Sequence, residues 1–332
     1  MYRLKQVPED FIVREVKKLD IKGGRFAYIK VKKKLRNTLN VAKEISRQLS
    51  LKEKQVGFAG SKDKHAITEQ YFSVEGVNEE RINNLNIENV SFEFVGYGKN
   101  PISLGDLEGN EFEIVIRNLD SNFINVKEID FVANYFDEQR FSLHNADIGK
   151  HLIKKEFDKV MDLIDDSRAN NHLKKHPKDY IGALKKLSPR LLKMYVHAYQ
   201  SYLWNETLAE YLRSYDGKEV AYSLGKFVFV SERLDLKVPL IGFDTELKDE
   251  KIKGIIRVLM KKEEISFDNF VIKQIPDLSR EGELRSAFVD VKEFKLFNVE
   301  EDELNPGKKK VKVSFVLGKG SYATIVIRKL FC

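Results

Sequence analysis

Strand-like alternation of apolar and polar residues marks both ends of this chain and is scarce in its middle. Towards the N-terminus it occurs in residues 26–32 and 109–117, and towards the C-terminus in residues 311–315. Residues from about 143 to 215 instead have helical periodicity and many lysines. Periods of two and of 3.6 residues distinguish strands from helices. The sequence therefore predicts an α+β fold in which both chain ends form one mixed domain, interrupted by a helical insertion near residues 143–280.

Capping residues and apolar spacing predict three helices. Asn37 or Thr38 can cap the first, whose apolar side chains then fall on one face. The second begins at Ser188, because a cap followed by Pro189 at the first helical position is typical of a helix start. The third is predicted at residues 129–136 by the spacing of its apolar residues, which are Ile129, Val132, Ala133 and Phe136.

The stretch at residues 57–72 combines turn-forming and reactive residue types, and its sequence is GFAGSKDKHAITEQYF. Two glycines and a serine lead into Asp63, which Lys62 and Lys64 flank. Glycine permits turn conformations that other residues avoid, and flanking cations favour an ionised carboxylate. The pattern fits either an anionic side chain held on a tight loop or a solvated lysine-rich turn.

The charge balance is compatible with two classes of protein. Lys and Arg number 58 against 51 Asp and Glu, which gives a net charge of +7, and aromatic residues make up 11% of the chain. A basic surface with aromatic faces suits nucleic acid. A lysine-rich composition is also common in proteins of heat-adapted organisms. Composition alone leaves both interpretations open.

The sequence contains no candidate membrane or secretion segment. No apolar run approaches the roughly 18 residues of a membrane helix, and the N-terminal residues lack a signal-peptide pattern. The one cysteine is Cys332, which excludes an intrachain disulfide and a thiolate metal cluster. We therefore expect a protein of the reducing cytoplasm that has no membrane partner.

Histidine and glycine motifs elsewhere do not predict a metal or nucleotide site. His172 and His176 are one helical turn apart, but no carboxylate or third histidine stands in a ligand pattern with them. The glycine-flanked turn at residues 318–324 has neither the Walker spacing nor the Rossmann fingerprint. The sequence predicts neither a metal nor a nucleotide cofactor.

Two aromatic positions have both a structural and a functional interpretation. Phe112 shares a strand face with Ile114 and Ile116, which favours a place in the core. Arg140 stands beside Phe141, where it could stack on or pair with RNA. An arginine at a helix end can equally serve only to balance the helix dipole.

Taken together, the motifs of this chain resemble the TruD family of tRNA pseudouridine synthases. The segment around Asp63 is specific to that family, and the others follow in family order. The matching segments are KQVPEDF at 5–11, FAGSKDKHAITEQ at 58–70, GNEF at 109–112, NYF at 134–136, QRF at 139–141, YQSYLWN at 199–205 and GSYAT at 320–324. The chain departs from the usual pattern at Ser61, Ser142 and Gly318-Lys319, and none of these changes removes a reacting group.

The resemblance implies an isomerase that converts uridine to pseudouridine in tRNA, at uridine 13 of the D arm, without a cofactor or metal. It implies a pseudouridine synthase catalytic domain with a central antiparallel or mixed sheet in circularly permuted order, formed by residues 1–142 and 281–332. A mostly helical α+β TRUD domain would be inserted at residues 143–280. The expected partner is tRNA, lying in the cleft between the domains, and the expected protein is a monomer.

The same resemblance assigns roles to individual residues. Asp63 corresponds to the catalytic aspartate, acting as nucleophile or as base in a glycal route, and Lys5 is the cation that keeps it ionised. Phe112 would stack on the target base, and Asn110 would order the loop or contact the nucleotide. The residues expected to contact RNA are Lys62, Lys64, His65, Gln70, Arg140 and Phe141.

Two other functions remain as alternatives. One is a catalytically inactive RNA-binding protein of the same fold, and the joint presence of the four expected catalytic residues argues against it. The other is a metal-dependent nuclease that uses Asp63 with further acids. The sequence near Asp63 has no carboxylate cluster, which argues against the nuclease.

Overall fold

The computed structural model describes residues 2–120, 128–142 and 144–332. Its strands, in chain order, are β1 (Phe11–Val16), β2 (Phe26–Lys34), β3 (Val56–Phe58), β4 (Ile67–Glu75), β5 (Val90–Gly98), β6 (Gly109–Leu119), β7 (Phe131–Ala133), β8 (Gly217–Tyr222), β9 (Gly225–Val230), β10 (Lys237–Leu240), β11 (Glu283–Ser286), β12 (Phe288–Glu301) and β13 (Lys309–Gly318).

The helices are α1 (Thr38–Gln48), α2 (Glu79–Asn83), α3 (Asn145–Lys154), α4 (Phe157–Leu163), α5 (Ser167–Lys175), α6 (Tyr180–Leu184), α7 (Pro189–Leu212), α8 (Glu250–Glu263) and α9 (Ala323–Leu330). Short 3₁₀ turns occur at Pro8–Asp10, Glu53–Gln55, Glu138–Arg140, Phe267–Phe270 and Pro276–Leu278. None of the helices in the described part of the chain has the length and apolar character needed to cross a membrane.

The chain divides into two compact units. Unit 1 comprises the described residues of Met1–Asp130 and Asp290–Ala323, and unit 2 comprises those of Phe131–Val289 and Thr324–Cys332. Each unit therefore takes residues from two separate stretches of sequence. The catalytic and inserted domains expected from the sequence stay a prediction.

A large mixed sheet forms the centre of unit 1. Its strand order is β5-β2-β4-β1-β6-β13-β12, and β3 pairs with β4. Strand β1 runs parallel to β4 and antiparallel to β6, and β13 runs antiparallel to both β6 and β12. The C-terminal strands thus add to a sheet begun by the N-terminal ones. The α+β fold class with a central mixed sheet, predicted from both chain ends, is confirmed.

Helix α1 covers one face of this sheet at β2 and β4. Asn37 accepts a hydrogen bond from the backbone N–H of Leu39 at 2.9 Å, which confirms the predicted cap. Its inward side chains pack in one hydrophobic cluster with residues of the two strands, and the buried members from these elements are Val41, Ala42, Ile45, Ile29, Val31, Phe72 and Val74. This packing fixes the framework from which residues 59–66, called the Asp63 loop below, emerge between β3 and β4.

Helix α7 is the longest helix of unit 2 and begins as predicted. Ser188 Oγ accepts a hydrogen bond from the N–H of Leu191 at 3.1 Å, and Pro189 is the first helical residue. Tyr195, Tyr199 and Trp204 along the helix are buried, as expected for core packing, while Tyr202 is half-buried. Trp204 is fully buried and donates its indole N–H to the carbonyl of Val238 at 3.0 Å.

The helix predicted at residues 129–136 is wrong. Residues 131–133 form strand β7, and the N–H of Asn134 donates to the carbonyl of Ala287 at 2.8 Å. Val132, Ala133 and Tyr135 are almost completely buried. A short segment enclosed on both faces carries apolar residues at every spacing, so its periodicity does not distinguish a strand from a helix.

Candidate active site

The carboxylate of Asp63 forms an ion pair with the ammonium group of Lys5. Lys5 Nζ donates to Asp63 Oδ2 at 2.5 Å, while the Lys5 and Asp63 side chains are 20% and 39% exposed. The other carboxylate oxygen, Oδ1, has no hydrogen bond or ion pair with any described residue. One oxygen is held by a cation, and the other is open to a ligand.

Lys5 has an unusual backbone conformation, and its side chain contacts an aromatic ring. Its backbone has φ of +57°, in the left-handed region that few residues other than glycine adopt. Its ammonium nitrogen also lies 4.1 Å from the centre of the Phe11 ring, within cation–π range. The Phe11 ring meets Phe112 edge to face at 6.2 Å between ring centres. Lys5 thus contacts both the candidate carboxylate and the aromatic pair that includes Phe112.

A second cation, Lys33, holds the backbone of the Asp63 loop from inside the protein. Lys33 is only 1% exposed, and its ammonium group donates to the carbonyl oxygens of Asp63 at 3.0 Å and Arg36 at 2.8 Å. Burial lowers the pKa of Lys33 to about 8, against the opposing effect of the Asp63 charge. This residue fixes the position of Asp63 through its main chain.

The sequence analysis missed Lys33, although a signal was present. Side chains of a strand alternate between its two faces, so Ile29, Val31 and Lys33 of β2 share one face. All three are buried. A lysine that continues an apolar strand face must find acceptors inside the protein, because an unpaired buried charge is costly.

Gln70 and Thr38 support the same loop. Gln70 is fully buried, accepts a hydrogen bond from Thr38 Oγ1 at 3.0 Å and donates one to the carbonyl of Gly60 at 3.1 Å. Thr38 Oγ1 also accepts from the N–H of Lys62 at 3.0 Å. Gln70 therefore offers no surface for the RNA contact expected of it, and its place in the structure is that of a loop support.

The three basic residues of the Asp63 loop have different environments. Lys62 Nζ lies 2.6 Å from Glu15 Oε2, and the two side chains are 8% and 0% exposed. The ammonium group of Lys62 thus points into the protein, contrary to its expected role in RNA binding. Lys64 and His65 are exposed and form no ion pair or hydrogen bond within the described residues. These two side chains are available to a ligand.

Phe112 and Asn110 lie on one face of β6. Phe112 is 7% exposed, and its ring centre is 5.6 Å from that of Phe315. Asn110 stands opposite Glu15 of β1, the partner of Lys62, in the register of the sheet. Its side-chain oxygen is buried and has no hydrogen-bond partner in the described part of the chain. Phe112 is thus largely a core residue, and Asn110 has an acceptor to offer.

Arg140 and Phe141 belong to unit 2. Arg140 Nε donates to Ser201 Oγ at 3.3 Å, and its guanidinium group lies 5.9 Å from the centre of the Phe136 ring. Phe141 is 1% exposed, and its ring centre lies 5.9 Å from that of Tyr222. Phe141 is a core residue, so the contact with RNA expected of it has no surface to form on. Arg140 is half-buried and keeps part of its side chain accessible.

Comparison with known proteins places this chain in a family. The family model described as tRNA pseudouridine synthase D (TruD) matches residues 2–171, 165–222 and 218–330. The chain belongs to the TruD family. The resemblance drawn from its motifs is therefore confirmed.

TruD-family proteins from bacteria and archaea match the chain over nearly its whole length. A protein of Aquifex aeolicus named tRNA pseudouridine synthase D is 33% identical, covering 99% of this chain and 98% of its own. One of Methanocaldococcus jannaschii named probable tRNA pseudouridine synthase D 2 is 32% identical, covering 99% and 91%. The crystal structure of a putative TruD protein from Methanosarcina mazei is 26% identical, with a TM-score of 0.74 over 99% of this chain and 93% of that one.

Among the described residues of this TruD-family chain, no group of three or more His, Cys, Asp and Glu side chains is arranged to hold a metal ion. The charged groups nearest Asp63 are instead lysines. Lys5 contacts its carboxylate, and Lys33 contacts its carbonyl oxygen. The candidate site is thus a carboxylate supported by two ammonium groups.

Proposed function

We propose that this chain is a tRNA pseudouridine synthase that isomerises uridine to pseudouridine through Asp63. The observation that carries the proposal is the ion pair between Lys5 Nζ and Asp63 Oδ2 at 2.5 Å, which leaves Oδ1 without a partner among the described residues. Membership of the TruD family and relatives named tRNA pseudouridine synthase D support the same activity.

An oriented carboxylate with one free oxygen suits the chemistry of this isomerisation. Asp63 either attacks C1′ of the target nucleoside or removes a sugar proton in a glycal route. In both routes the C1′–N1 bond breaks, the freed uracil turns, and C5 bonds to C1′. At that step the bond between Asp63 and C1′ breaks in the first route, and the proton held by Asp63 returns to the sugar in the second. The proton on C5 is then lost and N1 ends with a proton. Because reactant and product have the same composition, no co-reactant is consumed.

Lys5, Phe112 and Asn110 have roles that follow from their positions. Lys5 remains a cation beside the carboxylate and keeps it ionised while substrate displaces water. A uridine inside folded RNA must be extruded at a cost of a few kcal/mol. Stacking of the extruded base on the Phe112 ring offsets part of that cost. The unpartnered Oδ1 of Asn110 accepts a hydrogen bond from the nucleotide or from the rearranged loop.

The finer features of the proposal extend the family resemblance. The target is uridine 13 of tRNA, the enzyme acts as a monomer, and Lys64 and His65 contact the RNA. Residues 1–142 and 281–332 form the circularly permuted catalytic domain, and residues 143–280 form the inserted TRUD domain. Positioning of RNA by its phosphates agrees with the net charge of +7.

Release of tritium from uridine labelled at C5 tests the reaction directly, because C5 loses its hydrogen only when the new glycosidic bond forms. Unmodified tRNA is incubated in EDTA with wild-type protein, Asp63→Ala or Asp63→Asn. We expect release by the wild type alone, with tRNA binding by Asp63→Ala within about tenfold of wild type, since the substitution removes the reacting group and leaves the basic surface.

The outcomes separate the proposal from its alternatives. Near wild-type turnover by Asp63→Asn would remove Asp63 from the mechanism. Binding without release by any protein would favour an inactive RNA-binding protein. Strand cleavage in a parallel incubation with Mg²⁺, abolished by EDTA, would favour the nuclease. Mapping of the modified nucleotide in tRNA with and without a U13C change tests the position.

A further inference from the structure

A group of basic side chains surrounds one turn of helix α7 in unit 2. His197 begins this turn and keeps a solvent-exposed surface. Ser201, one turn later, donates its hydroxyl to the carbonyl of His197 at 2.7 Å and accepts a hydrogen bond from Arg140 Nε at 3.3 Å. Arg280 follows the turn Pro276–Leu278, which packs against α7, and its charge acts on the same histidine. Residues from three parts of the sequence thus meet here.

The guanidinium group of Arg280 has an edge that lacks partners. Its Nη1 donates to the carbonyl of Ser279 at 2.9 Å. Its Nε and Nη2 are buried and form no hydrogen bond with the residues that the structure describes. These two nitrogens form the edge that binds a carboxylate or phosphate through two parallel hydrogen bonds. Because buried charged donors are costly when left unpaired, this edge is suited to an anionic ligand.

The positive charge around His197 is not neutralised by ion pairs. Arg140, Lys193 and Arg280 form none with a carboxylate in the described ranges. Other arginines of unit 2 do, for example Arg213 with Glu219 and Arg328 with Asp137. Partial burial of the ring, and then the charges of Arg280 and Arg140, lower the pKa of His197 to about 4. The histidine is therefore uncharged at neutral pH and sits in a field that attracts anions.

Arg280 is within reach of a ligand from solvent. It lines an open pocket of about 680 Å³, together with Phe243 and residues 279–283. Glu281 and Glu283 line the same pocket but are exposed to solvent, which screens them, and neither pairs with Arg280. Asp277, whose charge also acts on Arg280, is exposed as well. The pocket therefore gives a ligand access to the Arg280 side chain.

We propose that Arg280, His197 and Arg140 form a binding site for a backbone phosphate of the RNA substrate. The unpaired edge of Arg280 binds two non-bridging oxygens of the phosphodiester, and Arg140 and the His197 ring flank the same group. This inference rests on the proposed function, since that function makes RNA the ligand. It adds a site in unit 2 that holds the RNA by its backbone and takes no part in the chemistry at Asp63.

The test measures binding of unmodified tRNA over a range of salt concentrations, using the full chain with Asp63→Ala so that no turnover occurs. For Arg280→Gln we expect about a tenfold higher Kd at 150 mM salt. We also expect the slope of log K against log salt to fall by roughly 0.7 to 0.9, the effect of losing one phosphate contact. Arg280→Lys keeps the charge but cannot form two parallel hydrogen bonds. It should raise Kd several-fold without changing the slope.

Arg257→Gln is the matched control, because Arg257 is exposed on α8 and its loss changes the net charge equally. It should leave Kd within about twofold of the Asp63→Ala parent. If Arg280→Gln has the same Kd and the same salt slope as the Asp63→Ala parent, the proposal is overturned. If that variant does not fold, Arg280→Lys decides, since unchanged affinity would overturn it equally. Tritium release by wild-type protein tests the proposed function separately, so failure of one inference is distinguishable from failure of the other.

Discussion

Lys33 Nζ donates a hydrogen bond to the carbonyl oxygen of Asp63 at 3.0 Å, from a position that is only 1% exposed. On the other side of the residue, Lys5 contacts the carboxylate at 2.5 Å. Asp63 is therefore held by two cations, one at its main chain and one at its side chain. The first sets where the loop lies, and the second sets how the carboxylate is oriented.

Lys33→Met should slow the reaction while leaving substrate affinity nearly intact. The substitution removes both hydrogen bonds that fix the Asp63 loop, and a displacement of about 1 Å at a reacting group can cost about a hundredfold in rate. We expect kcat in the tritium-release assay to fall at least about tenfold, with KM for tRNA within about threefold. Lys32→Met is the control, because Lys32 is the exposed neighbour on β2. Wild-type kcat in Lys33→Met would show that the loop is positioned without this lysine.

The stability of the protein should respond to pH through Lys33. Its pKa is lowered from 10.5 to about 8 in the folded state, chiefly by burial. Between these values the unfolded chain binds more protons than the folded one, so the contribution of Lys33 to the free energy of unfolding rises with pH. From pH 7 to 10 the wild type should gain roughly 2 kcal/mol relative to Lys33→Met. Urea unfolding of both proteins at the two pH values measures this difference, and parallel changes would contradict it.

Local chemistry decided which parts of the fold could be predicted from sequence. Asn37 and Ser188 marked their helices correctly because a cap is a property of a few neighbouring residues. The alternation in β6 and β13 likewise placed both chain ends in one sheet. Residues 129–136 were misjudged because their environment, buried on both faces, comes from segments distant in sequence. Helical spacing there reflects burial alone.

The candidate site was likewise predictable from sequence only in part. The family motifs identified Asp63 and Lys5 as candidate catalytic residues, and the structure joins them in one ion pair. Motifs do not state which way a side chain points. Lys62 and Gln70 belong to the same motif as Asp63 yet bond inward, to Glu15 and Gly60. Their orientation depends on partners supplied by β1 and α1, which local sequence does not specify.

Substitutions of Phe112 should separate its packing from its stacking on the target base. Phe112→Ala removes a ring packed against Phe11 and Phe315, and should lower the free energy of unfolding by about 3 to 5 kcal/mol. Phe112→Leu keeps most of the volume, and we expect a smaller loss of about 1 kcal/mol. Its kcat should nevertheless fall about tenfold or more, because base stacking on an aromatic ring contributes about 1 to 3 kcal/mol.

Phe227→Leu provides the comparison for Phe112→Leu. Phe227 is fully buried in unit 2, so the same chemical change is made away from the candidate site. It should lower stability by a similar amount and leave kcat unchanged. Urea unfolding and tritium release are measured on both variants. Equal rates for the two variants would return Phe112 to a purely structural role.

Substitution of Lys62 should lower stability and leave RNA binding unchanged, and substitution of Lys64 should do the reverse. Only Asp63 separates the two lysines in the sequence. Lys62→Met leaves the carboxylate of Glu15, 0% exposed, without its partner. Breaking a buried pair in this way costs about 3 to 5 kcal/mol, so urea unfolding should show a loss of that order. The salt dependence of tRNA binding should remain that of the wild type, because the ammonium group of Lys62 points inward.

Lys64→Gln should leave the free energy of unfolding within about 0.5 kcal/mol of wild type, as expected for an exposed side chain. It should weaken tRNA binding and reduce the slope of log K against log salt by roughly 0.7 to 0.9. Measuring both variants between 50 and 200 mM salt makes each the control for the other. A reduced slope in Lys62→Met would mean that Lys62 leaves Glu15 and turns outward to the RNA, and an unchanged slope in Lys64→Gln would place the RNA elsewhere.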